Sequence, residues 1–118
     1  MRGISIHVVD VARGAVAQGL VVRVERLDGE RRTPIVQAPV SASGSVEPLA
    51  ALTDRFPAGV YEATFFVGDY HRERSEALPG VPFLDVVPYR FGIADTGQHY
   101  HLPFKLTAWG FSCFRGGA

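Results

Sequence analysis

Four histidines and one cysteine are the side chains of this 118-residue chain best suited to proton transfer or nucleophilic attack. Two of the histidines stand two apart in His99-Tyr100-His101. On a strand that spacing points both imidazoles the same way, beside Lys105 and Thr107 and opposite Leu102, Phe104 and Leu106. A third, His7, lies on the polar side of an early alternating segment, so a first and last strand lying side by side would gather two or three imidazoles. Three readings of such a group are open. Surface histidines would simply be solvated. A His-x-His pair on a strand is also a familiar zinc arrangement, but no evident carboxylate accompanies it, and no metal is assigned. The third is acid–base catalysis, in which one imidazole takes a proton from water while another donates or orients. Cys113, between Phe111 and Phe114 and without a nucleophile's flanking signature, reads as a buried structural thiol. His71, within the charged run Asp69–Arg74, reads as part of a solvated helix face.

The elements that must position these residues are mostly strands. Ile4, Ile6 and Val8 alternate with Ser5 and His7, the period of a half-buried strand, and Asp10–Gly14 reads as a turn. Leu20, Val22 and Val24 alternate with Val21, Arg23 and Glu25, and Leu27-Asp28-Gly29-Glu30 can reverse that strand into 33–37. Tyr61, Ala63, Phe65 and Val67 share a face of an aromatic, central strand that stops at Gly68-Asp69. Asp69 then suits the N-cap of a short helix around 69–78, closed by Pro79-Gly80. Leu84–Tyr89 and His99–Cys113 read as further strands, the latter either two strands meeting near Trp109-Gly110 or one long strand with a bulge. Short strands at this spacing with one helix predict an all-β fold, a two-sheet sandwich forming a single domain over 1–118.

Composition narrows the function. Twelve basic residues balance twelve acidic ones, which gives no long-range pull toward phosphate or acidic lipid, so nucleic acid is not an expected partner. A hydrophobic share of 47% and a charged share of 20% are those of a chain that folds. With Cys113 as the sole cysteine there is no intrachain disulfide, and no window approaches a membrane span or a signal peptide. The expected address is the cytoplasm, with no membrane partner.

Several segments together resemble the transthyretin-like 5-hydroxyisourate hydrolases. They are His7-Val8-Val9-Asp10 with Arg13-Gly14; Gly59-Val60-Tyr61-Glu62 and Val67-Gly68-Asp69-Tyr70; Pro82-Phe83-Leu84-Asp85-Val86-Val87-Pro88 with Arg90-Phe91-Gly92-Ile93; and His99-Tyr100-His101-Leu102-Pro103 with Trp109. Their order and spacing cover nearly the whole chain. The resemblance implies a sandwich of about eight strands, assembled as a dimer of dimers into a homotetramer with active sites in the channel between dimers. It implies ring opening of 5-hydroxyisourate, a small heterocyclic product of urate oxidation, by addition of water at a ring carbonyl, with no metal or organic cofactor. It also implies that His7 and His101 are catalytic, activating and orienting the water.

Two departures from the family pattern accompany the matches. Ser43-Gly44-Ser45 stands where the family has Asp-Gly-Arg, putting Ser45 in the arginine's place, and Phe114-Arg115-Gly116-Gly117 stands where it has Tyr-Arg-Gly-Ser. Losing a charged donor to a developing oxyanion costs about 10²–10³ in rate unless another group substitutes, and Arg115 is the first candidate substitute, with Arg90 behind it. Ser45, Phe114, Arg115 and His99 are therefore the expected substrate-binding residues. The alternatives to a 5-hydroxyisourate hydrolase are a relative acting on another heterocycle by the same histidine chemistry, and a non-catalytic ligand carrier on the same fold.

Overall fold

A computed structural model describes residues 2–74 and 80–117. Eight strands form the frame: β1 Ile4–Asp10, β2 Ala15–Val16, β3 Val21–Asp28, β4 Arg31–Pro39, β5 Gly59–Phe66, β6 Val86–Ile93, β7 Tyr100–Leu106 and β8 Phe111–Cys113. One α-helix, α1, spans Val67–Glu73, and 3₁₀ turns occupy Glu47–Ala51 and Thr53–Arg55. The strands make two four-stranded sheets, ordered β2-β1-β7-β8 and β4-β3-β5-β6. This is the expected all-β sandwich.

Alternation carries the packing. Along β1 and β7 every second residue is buried, so Ile4, Ile6 and Val8 join Leu102, Phe104 and Leu106 in the core. Facing them are Val22, Val24, Tyr61, Ala63 and Phe65 of the other sheet, with Leu20 just before β3, and Phe65 stacks on Phe104 with ring centroids 3.8 Å apart. The core is aliphatic and aromatic, so the other face of β1 and β7 is left for polar residues.

The last segment resolves into two strands. Thr107 turns the chain: its amide donates to the Gly110 carbonyl, and its Oγ1 accepts from the amides of Trp109 and Gly110. In the β3–β4 hairpin the register slips between Val24 and Glu25, which puts Glu25 opposite Pro34 on an edge strand, where the missing proline N–H is tolerated. The sixth strand starts at Val86 and runs through Arg90 to Ile93, further than the expected 84–89.

Helix α1 begins at Val67, two residues before the expected Asp69, and Asp69 sits in its first turn instead of capping it. The reason is that Val67 fits two periods. It continues the β5 alternation, but with Tyr70 and His71 it also forms an i, i+3, i+4 stripe, and all three are buried. His71 is thus interior, not part of a solvated face, whereas Asp69, Arg72 and Glu73 are exposed. Tyr70 fastens the helix to the first sheet by donating to Asp10 Oδ2 at 2.8 Å, and Arg13 Nη1 donates in turn to the Tyr70 hydroxyl. The expected helical positions 75–78 lie outside the described residues.

Candidate active site

Strands β1 and β7 are adjacent and parallel, in the register Ser5↔His101 and His7↔Pro103. That pairing gathers His7, His101 and Ser5 on one half-buried polar face. Ser5 Oγ lies 2.7 Å from His101 Nδ1 and 2.8 Å from His99 Nε2. The other nitrogen of His99, Nδ1, is 3.2 Å from the Arg2 carbonyl, so both His99 ring nitrogens are engaged within the protein.

His7 is fixed from the other edge of β1. The segment Gly44–Val46 adds to that edge: Val8 N donates to Gly44 O at 2.9 Å and Val46 N to Ile6 O at 3.3 Å. These two bonds flank the antiparallel bridge His7↔Ser45, which makes it a non-hydrogen-bonded pair with side chains close together on one face. Ser45 therefore sits beside His7, where an arginine would project over the same face. His7 Nε2 donates to the Ser43 carbonyl at 3.1 Å. The turn itself is tied by Ser41, whose Oγ accepts from the amides of Ser43 and Ser45. Gly44, buried and at φ +90°, lies directly against the His7 ring.

Beyond β7 the sheet continues through β8 in the register Phe104↔Cys113, and the bridge His101↔Gly116 keeps the same register. Parity then places Phe114 opposite Pro103 and Gly116 opposite His101, on the histidine face. The Phe114 ring forms an exposed apolar wall with the Lys105 ammonium 5.9 Å from its centroid. Arg115 has the opposite parity. Its guanidinium lies 4.0 Å over the Tyr100 ring and donates to Gln98 Oε1 at 2.8 Å and to the His99 carbonyl. The structure thus groups His7, His101, Ser45 and Phe114, spends the His99 ring on Ser5 and Arg2, and holds the Arg115 guanidinium away from the histidines. Ser5 and Gly44 are the additions. Ser5 was legible as a polar-face neighbour of His7, and Gly44 as the glycine of a Ser-Gly-Ser turn.

Electrostatics favour a neutral imidazole at His101. Burial, followed by the nearby His7 and His99, holds His101 below the ordinary histidine range. Burial pushes the half-buried Cys113 thiol up to about 11, which makes it a poor nucleophile. Among the described residues no three His, Cys, Asp or Glu side chains converge as a metal ligand set. A cavity of about 540 Å³ adjoins the site, lined in part by Arg2, Ser5, Ser43, Ser45, Glu47 and His99.

The geometry has counterparts in known proteins. The family model described as the HIUase/Transthyretin family matches residues 4–116. A 5-hydroxyisourate hydrolase of Deinococcus radiodurans is 40% identical over 114 residues, 97% of this chain and 95% of that protein. One of Ralstonia nicotianae is 37% identical over 116 residues, 98% of this chain and 99% of that protein. Among solved structures, Klebsiella pneumoniae 5-hydroxyisourate hydrolase superposes with a TM-score of 0.81 at 26% identity, covering 99% of this chain and 100% of that one. An (S)-allantoin synthase superposes with a TM-score of 0.89 at 34% identity; it includes 98% of this chain, which spans only 43% of that protein's length. Transthyretin from Sparus aurata, at 22% identity and a TM-score of 0.85, with 98% of this chain and 97% of that one covered, shares the fold. The chain belongs to the HIUase/Transthyretin family.

Proposed function

We propose that the protein is a 5-hydroxyisourate hydrolase, opening the ring of 5-hydroxyisourate to 2-oxo-4-hydroxy-4-carboxy-5-ureidoimidazoline in urate catabolism. The observation that carries the reading is the parallel β1–β7 register, which sets His7 and His101 on one polar face. Relatives of 33–40% identity bearing that name support it.

The chemistry needs one base and one orienting group. His101, neutral at physiological pH because its protonated form is disfavoured, takes a proton from water as the water oxygen adds to the ring carbonyl. His7, held through Nε2 by the Ser43 carbonyl, orients that water. As the tetrahedral adduct collapses, the ring C–N bond breaks and the proton on His101 passes to the departing nitrogen, so the imidazole ends as it began. No cofactor enters this sequence. Ser45 and Phe114 frame the substrate, with Phe114 as an apolar wall, and His99 contributes by way of Ser5. Arg115, its guanidinium stacked on Tyr100 and turned from the imidazoles, serves the site by holding Phe114 and Gly116 on the histidine face. The working unit is one domain over 1–118, assembled as a homotetramer whose wet interface covers the histidine face. A lone cysteine suits a reducing compartment, and we place the reaction in the cytoplasm.

Hydrolysis of freshly generated 5-hydroxyisourate, followed by absorbance and circular dichroism against the spontaneous reaction, tests this. Wild type accelerates it, and His101→Ala loses about 10²-fold or more of the acceleration while keeping its fold. No acceleration by folded wild type refutes the substrate. Ser45 and Phe114, in place of an arginine and a tyrosine, favour a second reading, a different heterocycle handled by the same histidines. In that case Ser45→Arg combined with Phe114→Tyr gains hydroxyisourate hydrolysis that wild type lacks.

A further inference from the structure

The hydrogen-bond chain from Arg2 to His101 has only one consistent proton arrangement when its imidazoles are neutral. The Arg2 carbonyl can only accept, so His99 Nδ1, 3.2 Å away, carries the His99 proton. His99 Nε2 is then a bare lone pair, and Ser5 Oγ, at 2.8 Å, donates its single proton to it. With that proton committed, Ser5 Oγ can only accept from His101 Nδ1 at 2.7 Å. His101 therefore holds its proton on Nδ1 and presents Nε2 as a lone pair.

We propose that Ser5 is a positioning residue which, backed by His99 and the Arg2 carbonyl, fixes the tautomer of His101 so that Nε2 is the basic nitrogen. Which imidazole nitrogen carries the proton is set by the hydrogen bond the other one makes. Here the partner is a serine hydroxyl whose direction is itself dictated one step further out. Two features of the fold enforce the chain. Ser5 is directly opposite His101 in the parallel register, and strand alternation puts His99 and His101 on the same side, so one hydroxyl can bridge both rings. A proton on His99 would reverse the chain. Nε2 would donate to Ser5, Ser5 would donate to His101 Nδ1, and the His101 proton would sit on Nε2, where no base remains. The arrangement also gives the first half of His99-Tyr100-His101 a function distinct from touching substrate.

This inference rests on the hydrolase reading for its kinetic consequence but not for its structural one. In ¹⁵N-labelled protein in mildly alkaline buffer, long-range proton–nitrogen correlation reports the tautomer directly, with His101 assigned by the loss of its signals in His101→Gln. Wild type shows the Nδ1–H form at His101, and Ser5→Ala shifts it to Nε2–H. Kinetically, Ser5→Ala lowers kcat about tenfold or more with KM little changed, and Ser5→Thr, which keeps a hydroxyl on a residue suited to strands, recovers most of it. An Nε2–H signature in wild type overturns the inference, as does an unchanged tautomer or unchanged kcat in Ser5→Ala, or failure of threonine to rescue. A wild type that leaves hydroxyisourate untouched yet shows Nδ1–H at His101 refutes the substrate and sustains the tautomer.

Discussion

Replacing Gly44 by alanine should damage the site through a single methyl group. The added Cβ would lie 2.5 Å from His7 Nε2, 2.9 Å from His7 Cδ2 and 2.7 Å from Val16 Cγ1, so the imidazole must swing away. Two costs combine. A non-glycine residue in the left-handed region, here φ +90°, loses about 1–2 kcal/mol. Losing the His7 Nε2 bond to the Ser43 carbonyl costs about 1 kcal/mol more. The sum is about 2–3 kcal/mol. An unfolding entropy of about 2.1 cal/mol/K per residue gives this chain about 4 °C per kcal/mol, hence a Tm lower by about 8–12 °C. Displacing a reacting group by about 1 Å costs up to about 10² in rate, so kcat/KM should fall about 10- to 100-fold.

Gly29 supplies the control. It too has a positive φ, +62°, but an added Cβ there meets nothing within 4 Å. Gly29→Ala therefore carries only the backbone cost, about 1–2 kcal/mol, with unchanged hydrolysis. Thermal unfolding and hydroxyisourate kinetics on the two variants separate the conformational cost from the displacement of His7. Equal Tm losses and equal activities would refute the claim that Gly44 holds the His7 ring in place.

Two further outcomes follow from charge. With His101 as the proposed neutral base and its pKa depressed by burial, then by His7 and His99, kcat/KM should be full at neutral pH and fall only as pH drops through a midpoint below the ordinary histidine value of about 6.5. An acid limb centred above that value contradicts the assignment of His101 as base. On the outer face of the second sheet, burial raises the Glu62 carboxyl, but hydrogen bonds from Arg32 and Arg90 outweigh it and hold its pKa below the usual carboxylate value. A depressed carboxyl contributes stability that is present above its unfolded pKa and lost as pH falls through its folded one. Glu62→Gln should therefore cost about 1 kcal/mol of stability at neutral pH given the solvent-exposed guanidinium ends, lowering Tm by about 4 °C, and flatten the acid limb of Tm against pH. An unchanged limb would remove Glu62 from the linkage.

What the sequence disclosed and what it withheld divide along the range of the interactions. Alternation is local, so the buried faces of β1 and β7 were legible, as were the polar side that carries His7 and the one that carries His99 and His101. The reversal near Trp109-Gly110 was one of two readings open there, and the Thr107 hydroxyl and Gly110 supply the turn chemistry that decides for it. The start of α1 was not legible, because Val67 satisfies both the two-residue and the 3.6-residue period, and only its burial with Tyr70 and His71 decides between them. The site's composition depends on something further, the register between segments far apart in the chain. Ser5 opposite His101 is a pairing across 96 positions, and nothing in either segment alone specifies it.

The same dependence decides which C-terminal residues can reach the site. Phe104↔Cys113 and His101↔Gly116 are one continuous register, so Phe114 and Gly116 face the histidines and Arg115 turns to Tyr100. A slip of one residue would exchange those faces, bringing Arg115 to the histidines and sending Phe114 to the other side of the sheet. The Arg115 contacts oppose that slip. With its guanidinium 4.0 Å over the Tyr100 ring and bonded to Gln98 Oε1, Arg115 is anchored to the residues flanking His99. An arginine expected at the substrate thus opposes that slip and favours the register that keeps Phe114 and Gly116, the latter packed closely against Pro103 and Phe114, on the His101 face.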